Sequence, residues 1–175
     1  YIAWMVEERY QDLLYGNPDI DEVIILRTKV WRKNCNSKSL GEILHTIETL
    51  RQHKFDLVLD LHGLLKSGII ARLSGASTRI GFHRENCKEK ISALFTNQKA
   101  PYMAGGLHVV DMYLSLLQTA LGRIEETKLF PLQVPDEMDE KVARFFNQHP
   151  DLNHRPIIGI NPSTGFESKQ WEGVR

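Results

Sequence analysis

The stretch from Phe55 to Leu61 constrains the fold of this chain most strongly, because it is apolar at nearly every position. Only Asp56 and Asp60 interrupt it, which is typical of a strand covered on both faces within a parallel sheet. Gly63 then breaks the run, and the residues from Leu64 to Leu73 predict a helix. A strand followed at once by a helix is the first half of a βαβ unit.

The rest of the chain repeats this alternation. Further strands are predicted at residues 1–6, 23–26, 78–82 and 155–160. The spacing of apolar residues predicts helices through residues 40–50, 110–121 and 138–146, and a short one through Leu13 and Leu14. Gly122 is expected to end one of these helices, and Pro135 with Asp136 to begin the next. The sequence therefore predicts an α/β fold with a mostly parallel sheet flanked by helices.

Composition limits the class of protein. A length of 175 residues allows one full domain and the start of another, and the net charge of zero argues against wholesale binding of nucleic acid. The two cysteines, Cys35 and Cys87, lack the spacing of a metal site and the density of a disulfide scaffold, so a reduced, cytosolic compartment is expected. No apolar run approaches the ~20 residues that span a bilayer.

One segment is strongly basic. Between residues 27 and 38, in a predicted loop, there is no acid and there are five cations, namely Arg27, Lys29, Arg32, Lys33 and Lys38. Such a run is often plain solvated surface. Its alternative interpretation is a surface that binds an anionic partner.

Two stretches carry candidate site residues. Asp60, His62 and Gly63 follow the predicted strand, and ligands of α/β sheets bind at the carboxyl ends of strands. Asp60 acting only as a helix cap is the alternative. Further on, Ser163, Thr164 and Lys169 follow the apolar residues 157–160. Hydroxyls, backbone N–H groups and an ammonium at a strand end suit a phosphate ligand, although the two hydroxyls could merely cap a helix.

Five segments, taken in order, resemble glycosyltransferase family nine, which contains the ADP-heptose:lipopolysaccharide heptosyltransferases. Residues 55–67 are similar to the family's YDLVLDLQGLLKS stretch, and residues 30–33 resemble the RRWRK loop of its type I branch. The other three similar segments are residues 4–9, 81–97 and 161–171. His62 stands where the family usually has Gln, and Lys88 stands where its type I branch usually has Arg. Lysine keeps the charge but lacks the guanidinium fork that binds two oxygens at once.

The resemblance implies a GT-B enzyme, in which two Rossmann-like domains enclose the active site. Residues 1–150 would be the acceptor-binding domain, without its first strand and loop, and residues 151–175 the linker and first strand of the nucleotide-sugar domain. The implied reaction is inverting transfer of heptose from ADP-heptose to the Kdo-bearing lipid A core of lipopolysaccharide. The resemblance assigns the acceptor to Lys29, Arg32, Lys33 and Lys88, and the donor diphosphate to Ser163, Thr164 and Lys169. It implies neither a metal nor another cofactor.

The general base is expected to be an aspartate upstream of Tyr1, so no catalytic residue is assigned within the chain. We therefore expect residues 1–175 alone to be inactive. The family also implies peripheral contact with the cytosolic face of the inner membrane of a Gram-negative bacterium. Two alternatives stay open: a relative that uses another core sugar or acceptor, as the type II branch does, and a non-catalytic, flavodoxin-like binding module.

Overall fold

The computed structural model of the protein describes residues 1–34, 36–124, 129 and 131–160, apart from the side chains of residues 153 and 154. The chain divides into two compact units. Of the described residues, those in 1–24 and 131–160 form one unit, and those in 25–130 form the other. The domain division predicted between residues 150 and 151 stays a prediction.

The first unit contains the first described residues of the chain and the last ones. Strand β1 (Ala3–Glu7) pairs with β2 (Glu22–Leu26), of which residues 22–24 belong to this unit, and a 3-10 helix, Glu8–Leu14, follows β1. Helix α5 (Asp136–Gln148) begins after Pro135, as predicted, and a 3-10 helix follows it at Pro150–His154. Three acids in the first turn of α5 favour this start, because negative charge stabilises a helix amino end.

The second unit contains the parallel sheet. Its strands are β3 (Leu57–Leu59), β4 (Thr78–Gly81) and β5 (Gln98–Lys99), in that order across the sheet. Its helices are α1 (Thr28–Lys33), α2 (Ser37–Gln52), α3 (Leu65–Leu73) and α4 (Val109–Leu121), and its 3-10 helices are Arg84–Asn86 and Lys90–Phe95. The predicted parallel sheet flanked by helices is confirmed.

The register of the sheet brings the three strand ends to one edge. Leu59 of β3 lies opposite Ile80 of β4, and Gly81 of β4 lies opposite Lys99 of β5. The ladder continues for one residue beyond β3, because the Asp60 N–H donates to the Ile80 carbonyl at 2.8 Å. Since all pairs are parallel, the residues that follow each strand meet at this carboxyl edge.

Helix α4 covers the core of the second unit. Leu116 of α4 has no exposed surface and belongs to one cluster with Ile80, Phe82 and Ala100. Tyr113 lies one turn earlier, with its ring 6.3 Å from that of Phe82. The helix ends at Gly122, whose φ of +75° is the left-handed conformation that glycine adopts without strain. The predicted helix end is confirmed.

The basic segment forms a short helix instead of the predicted loop. Helix α1 has six residues, too few to be stable alone. Its Trp31 indole N–H donates to the Glu42 carboxylate of α2 at 2.8 Å, and Arg32 and Lys33 lie in its last turn, where cations favour a helix. Contact with α2 therefore decides the conformation, which the local pattern does not reveal.

The strand predicted at residues 155–160 is wrong within the part of the chain that the structure describes. These residues have irregular backbone, and Ile158 is 83% exposed. A strand requires a neighbour to accept and donate its hydrogen bonds, and no described strand pairs with this segment. Across the described residues, no helix combines the length and apolarity needed to cross a membrane.

Replacing Gly81 with alanine should destabilise the protein. An added Cβ would lie 2.9 Å from both Cγ2 and Oγ1 of buried Thr96, which is closer than Cβ atoms approach their neighbours. We expect a loss of about 1–3 kcal/mol in the free energy of unfolding, measured by urea denaturation.

The matched control is Gly41→Ala in α2, where nothing lies within 4 Å of the added Cβ. Alanine favours a helix over glycine by about 0.5–1 kcal/mol, so this variant should be slightly more stable. Adding Thr96→Ala to Gly81→Ala should recover part of the loss. Equal stability of the two glycine variants would contradict the steric explanation.

Candidate functional site at the carboxyl edge of the parallel sheet

Ligands of parallel α/β sheets bind at the carboxyl ends of the strands. In this protein those ends are followed by Asp60 after β3, Phe82 after β4 and Ala100 after β5. Phe82 and Ala100 are buried in the core, so they support the edge and do not face a ligand. The turn that begins at Asp60 leaves the sheet and carries the exposed groups.

Asp60 shapes this turn through backbone contacts. Its side chain is 6% exposed, and its Oδ1 accepts hydrogen bonds from the His62 N–H at 3.0 Å and the Gly63 N–H at 3.2 Å. These amides precede α3, so Asp60 orders the turn and does not cap the helix itself. The His62 side chain is exposed on the same turn. The structure thus brings Asp60, His62 and Gly63 together, as the sequence predicts.

Gly63 allows a second segment to approach the turn. Its φ is +62°, and an added Cβ would lie 3.2 Å from the Cα of Cys87 and 3.4 Å from the amide nitrogen of Lys88. A side chain would therefore face both backbone strain and crowding here. The close approach places the backbone of Lys88 against the turn, while its side chain is exposed. Lys88 therefore joins the site from a distant part of the sequence.

Two hydrogen bonds of Glu89 fix this approach. The Glu89 N–H donates to the Gly63 carbonyl at 3.0 Å, and its Oε2 accepts from the Leu65 N–H at 2.5 Å. Leu65 is the first residue of α3, where a carboxylate is electrostatically favoured. Within the same turn, Ser67 Oγ accepts from the Leu64 N–H at 3.2 Å. Side-chain oxygens thus satisfy the first amides of α3.

The basic helix α1 approaches the same helix end. Lys66, in the first turn of α3, donates from Nζ to the Thr28 hydroxyl of α1 at 3.3 Å. The predicted acceptor residues Lys29, Arg32 and Lys33 all lie on α1 and are exposed. The contact between Lys66 and Thr28 therefore places the start of α1, the helix that carries these three cations, next to the first turn of α3. Helix α3 in turn follows directly after the turn that Lys88 adjoins.

Another lysine at this edge has a structural role. Lys99 Nζ donates to the Thr96 hydroxyl at 2.6 Å and also to the Thr96 carbonyl. Burial lowers the pKa of the Lys99 ammonium below its ordinary value, although the side chain stays partly exposed, and the neighbouring Arg79 guanidinium lowers it further. Lys99 is thus directed back onto its own loop, and we assign it no ligand.

Two open grooves lie elsewhere on the described residues, beside the end of α2. One, of about 530 Å³, is lined by Leu44, Ile47, Glu48, Arg51, Gln52 and Lys54. The other, of about 360 Å³, includes Phe55 and Asp56, which precede β3. Loops that bind ligands in parallel sheets follow the strands and do not precede them. We therefore assign the site to the carboxyl edge of the sheet.

The predicted donor residues Ser163, Thr164 and Lys169 lie outside the described residues. Their assignment stays a prediction. Two residues of the site were missed by sequence reasoning, namely Glu89 and Lys66. The hydrogen bond from Leu65 to Glu89 joins residues 24 positions apart, and that from Lys66 to Thr28 joins residues 38 apart. Apolar periodicity carries no signal for such pairs.

Removing the Asp60 carboxylate should destabilise the turn. Asp60→Ala leaves the His62 and Gly63 amides without their acceptor in a buried position, which should cost about 1–3 kcal/mol of unfolding free energy. Asp60→Asn retains an oxygen at the Oδ1 position and should cost less. The measurement is the urea midpoint of each variant, and equal losses for Asn and Ala would contradict the hydrogen-bonding role.

Comparison with known proteins identifies the family. The profile of glycosyltransferase family 9 (heptosyltransferase) matches residues 43–175. Lipopolysaccharide heptosyltransferase 1 of Campylobacter coli is 31% identical over 170 residues, covering 96% of this chain and 47% of the relative. The same enzyme of Pseudomonas aeruginosa PAO1 is 31% identical over 119 residues, covering 67% of this chain and 33% of the relative. The chain thus spans half or less of the length of these two relatives.

Solved structures agree with this comparison. The structure of E. coli heptosyltransferase WaaC with ADP-2-deoxy-2-fluoro heptose has a TM-score of 0.66 at 25% identity, covering 73% of this chain and 41% of that one. A glycosyl transferase family 9 protein of Veillonella parvula has a TM-score of 0.76 at 21% identity, covering 98% of this chain and 47% of that one. The parallel sheet, the turn after its first strand and the matched profile have one common explanation: this chain belongs to glycosyltransferase family 9.

Proposed function

We propose that this chain is the acceptor-binding part, and the beginning of the donor-binding part, of an inverting glycosyltransferase that moves heptose from ADP-heptose to the Kdo-bearing lipid A core. Family membership and the heptosyltransferase 1 relatives support this proposal. The observation that carries it is the meeting of the Asp60 turn with Lys88 at the carboxyl edge of the sheet. An anionic acceptor would be bound by exposed cations that are held in place by an edge of this kind.

The acceptor chemistry fits the described cations. Kdo-bearing lipid A carries carboxylates and phosphates, and exposed lysine and arginine side chains bind such groups through charge-assisted hydrogen bonds. Lys88 would contact the acceptor at the Asp60 turn, and Lys29, Arg32 and Lys33 would contact it from α1. Arg32 has the guanidinium fork that pairs with two oxygens at once.

The transfer step needs a separate set of groups. An acceptor hydroxyl oxygen forms a bond to the anomeric carbon of heptose while the bond from that carbon to the diphosphate oxygen breaks from the opposite face. The hydroxyl proton leaves to a general base, which we assign to none of the described residues. ADP departs with increasing negative charge, which Ser163, Thr164 and Lys169 would stabilise. This step requires neither a metal nor another cofactor.

Substituting Lys169 should slow transfer. Lys169→Ala in the full-length gene product should lower kcat by on the order of 100-fold, because one preorganised donor to the leaving group is lost. The assay supplies ADP-heptose and Kdo-bearing lipid A in EDTA and detects the added heptose by mass spectrometry. The matched control is Lys141→Ala, which removes the same charge from the exposed pair with Glu137 on α5 and should leave kcat unchanged.

Three results would contradict the proposal in different ways. Absence of transfer to any core acceptor would favour a non-catalytic binding module. Transfer only to a core that already carries heptose would assign the chain to another branch of the family. A relative with a different number in its name, lipopolysaccharide heptosyltransferase 3 of E. coli, is 27% identical to this chain. Unchanged kcat in Lys169→Ala would refute the donor assignment while leaving the reaction intact.

We also propose peripheral contact with the cytosolic leaflet of the inner membrane, through the exposed cations of α1. Each cation near an anionic surface contributes roughly 1 kcal/mol at low salt. Removing Lys29, Arg32 and Lys33 together should therefore weaken binding to vesicles of anionic phospholipid by about fivefold per cation. Co-sedimentation with the vesicles at increasing salt measures this effect. The single-charge control is Lys141→Ala, whose vesicle binding is compared with that of Lys33→Ala. Binding that is indifferent to salt would refute the contact.

A further inference from the structure

Glu89 forms hydrogen bonds to both ends of the tripeptide at residues 63–65, which links the Asp60 turn to α3. Its own N–H donates to the Gly63 carbonyl at 3.0 Å. Its carboxylate accepts from the Leu65 N–H at 2.5 Å. One residue thus joins a distant loop to the turn and to the helix, using main-chain groups as partners.

Lys88 is held between two fixed neighbours. Cys87 is buried, and its N–H donates to the His83 carbonyl at 3.2 Å. On the other side, Glu89 makes its two hydrogen bonds. The amide nitrogen of Lys88 lies 3.4 Å from the position that a Cβ at Gly63 would occupy. The backbone at Lys88 therefore has little freedom, whereas its side chain is exposed.

The carboxylate of Glu89 would otherwise hinder an acceptor site. An acid next to an anion-binding lysine repels the same anion. Here the carboxylate is directed to the first amide of α3, where the helix dipole favours negative charge. The lysine and its acidic neighbour therefore face different partners.

We propose that Glu89 is a positioning residue for the acceptor: it holds Lys88 at the carboxyl edge so that the ammonium meets an anionic group of the glycolipid. This inference depends on the function proposed above. Fixing the backbone of a flexible lysine before binding reduces the conformational entropy lost on binding. Lys88 has a single ammonium and lacks the rigid fork of an arginine guanidinium, so its placement depends more on the backbone.

The test compares three variants of the full-length gene product. Glu89→Ala removes the carboxylate, Glu89→Gln retains an oxygen that accepts from the Leu65 N–H, and Glu85→Ala removes one negative charge from the same loop. Glu85 lies four residues away, paired with Lys90. The probe is Kdo-bearing lipid A in detergent, titrated with the donor absent, and transfer is then measured separately for kcat and acceptor KM.

Glu89→Ala should raise the acceptor Kd and KM by roughly two- to tenfold, as expected for one side chain that must be ordered on binding, with kcat little changed. Glu89→Gln should restore most of the affinity, and Glu85→Ala should match the wild type. In a Lys88→Ala background, Glu89→Ala should have almost no further effect, because Glu89 acts through Lys88.

Each contrary outcome has a distinct meaning. Unchanged acceptor affinity in Glu89→Ala, or effects of Glu89→Ala and Lys88→Ala that simply add, would overturn the positioning role even if the wild type transfers heptose. Loss of affinity in Glu89→Gln equal to that in Glu89→Ala would overturn the hydrogen-bonding explanation. A wild type that binds the acceptor but transfers no heptose refutes the proposed reaction, while the affinities still decide the role of Glu89. A wild type that does neither refutes both.

Discussion

The parallel pairing of β3 with β4 is the constraint on which the site depends. Leu59 lies opposite Ile80, and the Asp60 amide continues the ladder by donating to the Ile80 carbonyl. The position at which the chain leaves the sheet after Asp60 is therefore fixed relative to β4. Its carboxylate then determines the path of the next two amides. A shift of one residue in this register would turn the side chains of β3 to the other face of the sheet and displace the turn. The position of every residue in the turn therefore follows from the packing of the sheet.

Much of this edge can be predicted from the sequence. The apolar run before Asp60, the break at Gly63 and the following helical periodicity are local features, so they predict a strand, a turn and a helix in the correct order. The candidate site residues Asp60, His62 and Gly63 lie together because they are neighbours in the chain. Lys88 was identified through resemblance to a family, and the structure brings it to the same turn.

The remaining features depend on contacts between distant residues. Helix α1 forms where a loop was predicted, since Trp31 bonds to Glu42 of the next helix. The predicted strand at residues 155–160 is absent from the described structure, because apolar residues alone do not supply a neighbouring strand. Glu89 has no local pattern that distinguishes it from a surface acid. In each case the deciding partner lies outside the sequence window in which propensity acts.

Main-chain amides and carbonyls join the turn and the Lys88 segment, and the carboxylates of Asp60 and Glu89 accept further hydrogen bonds from main-chain amides there. The exposed side chain of Lys88 takes no part in these bonds. A sequence change at Lys88 therefore leaves the hydrogen bonds of the backbone that carries it in place. An edge built in this way separates two kinds of evolutionary change, because an exposed side chain can be replaced while the backbone beneath it keeps its path.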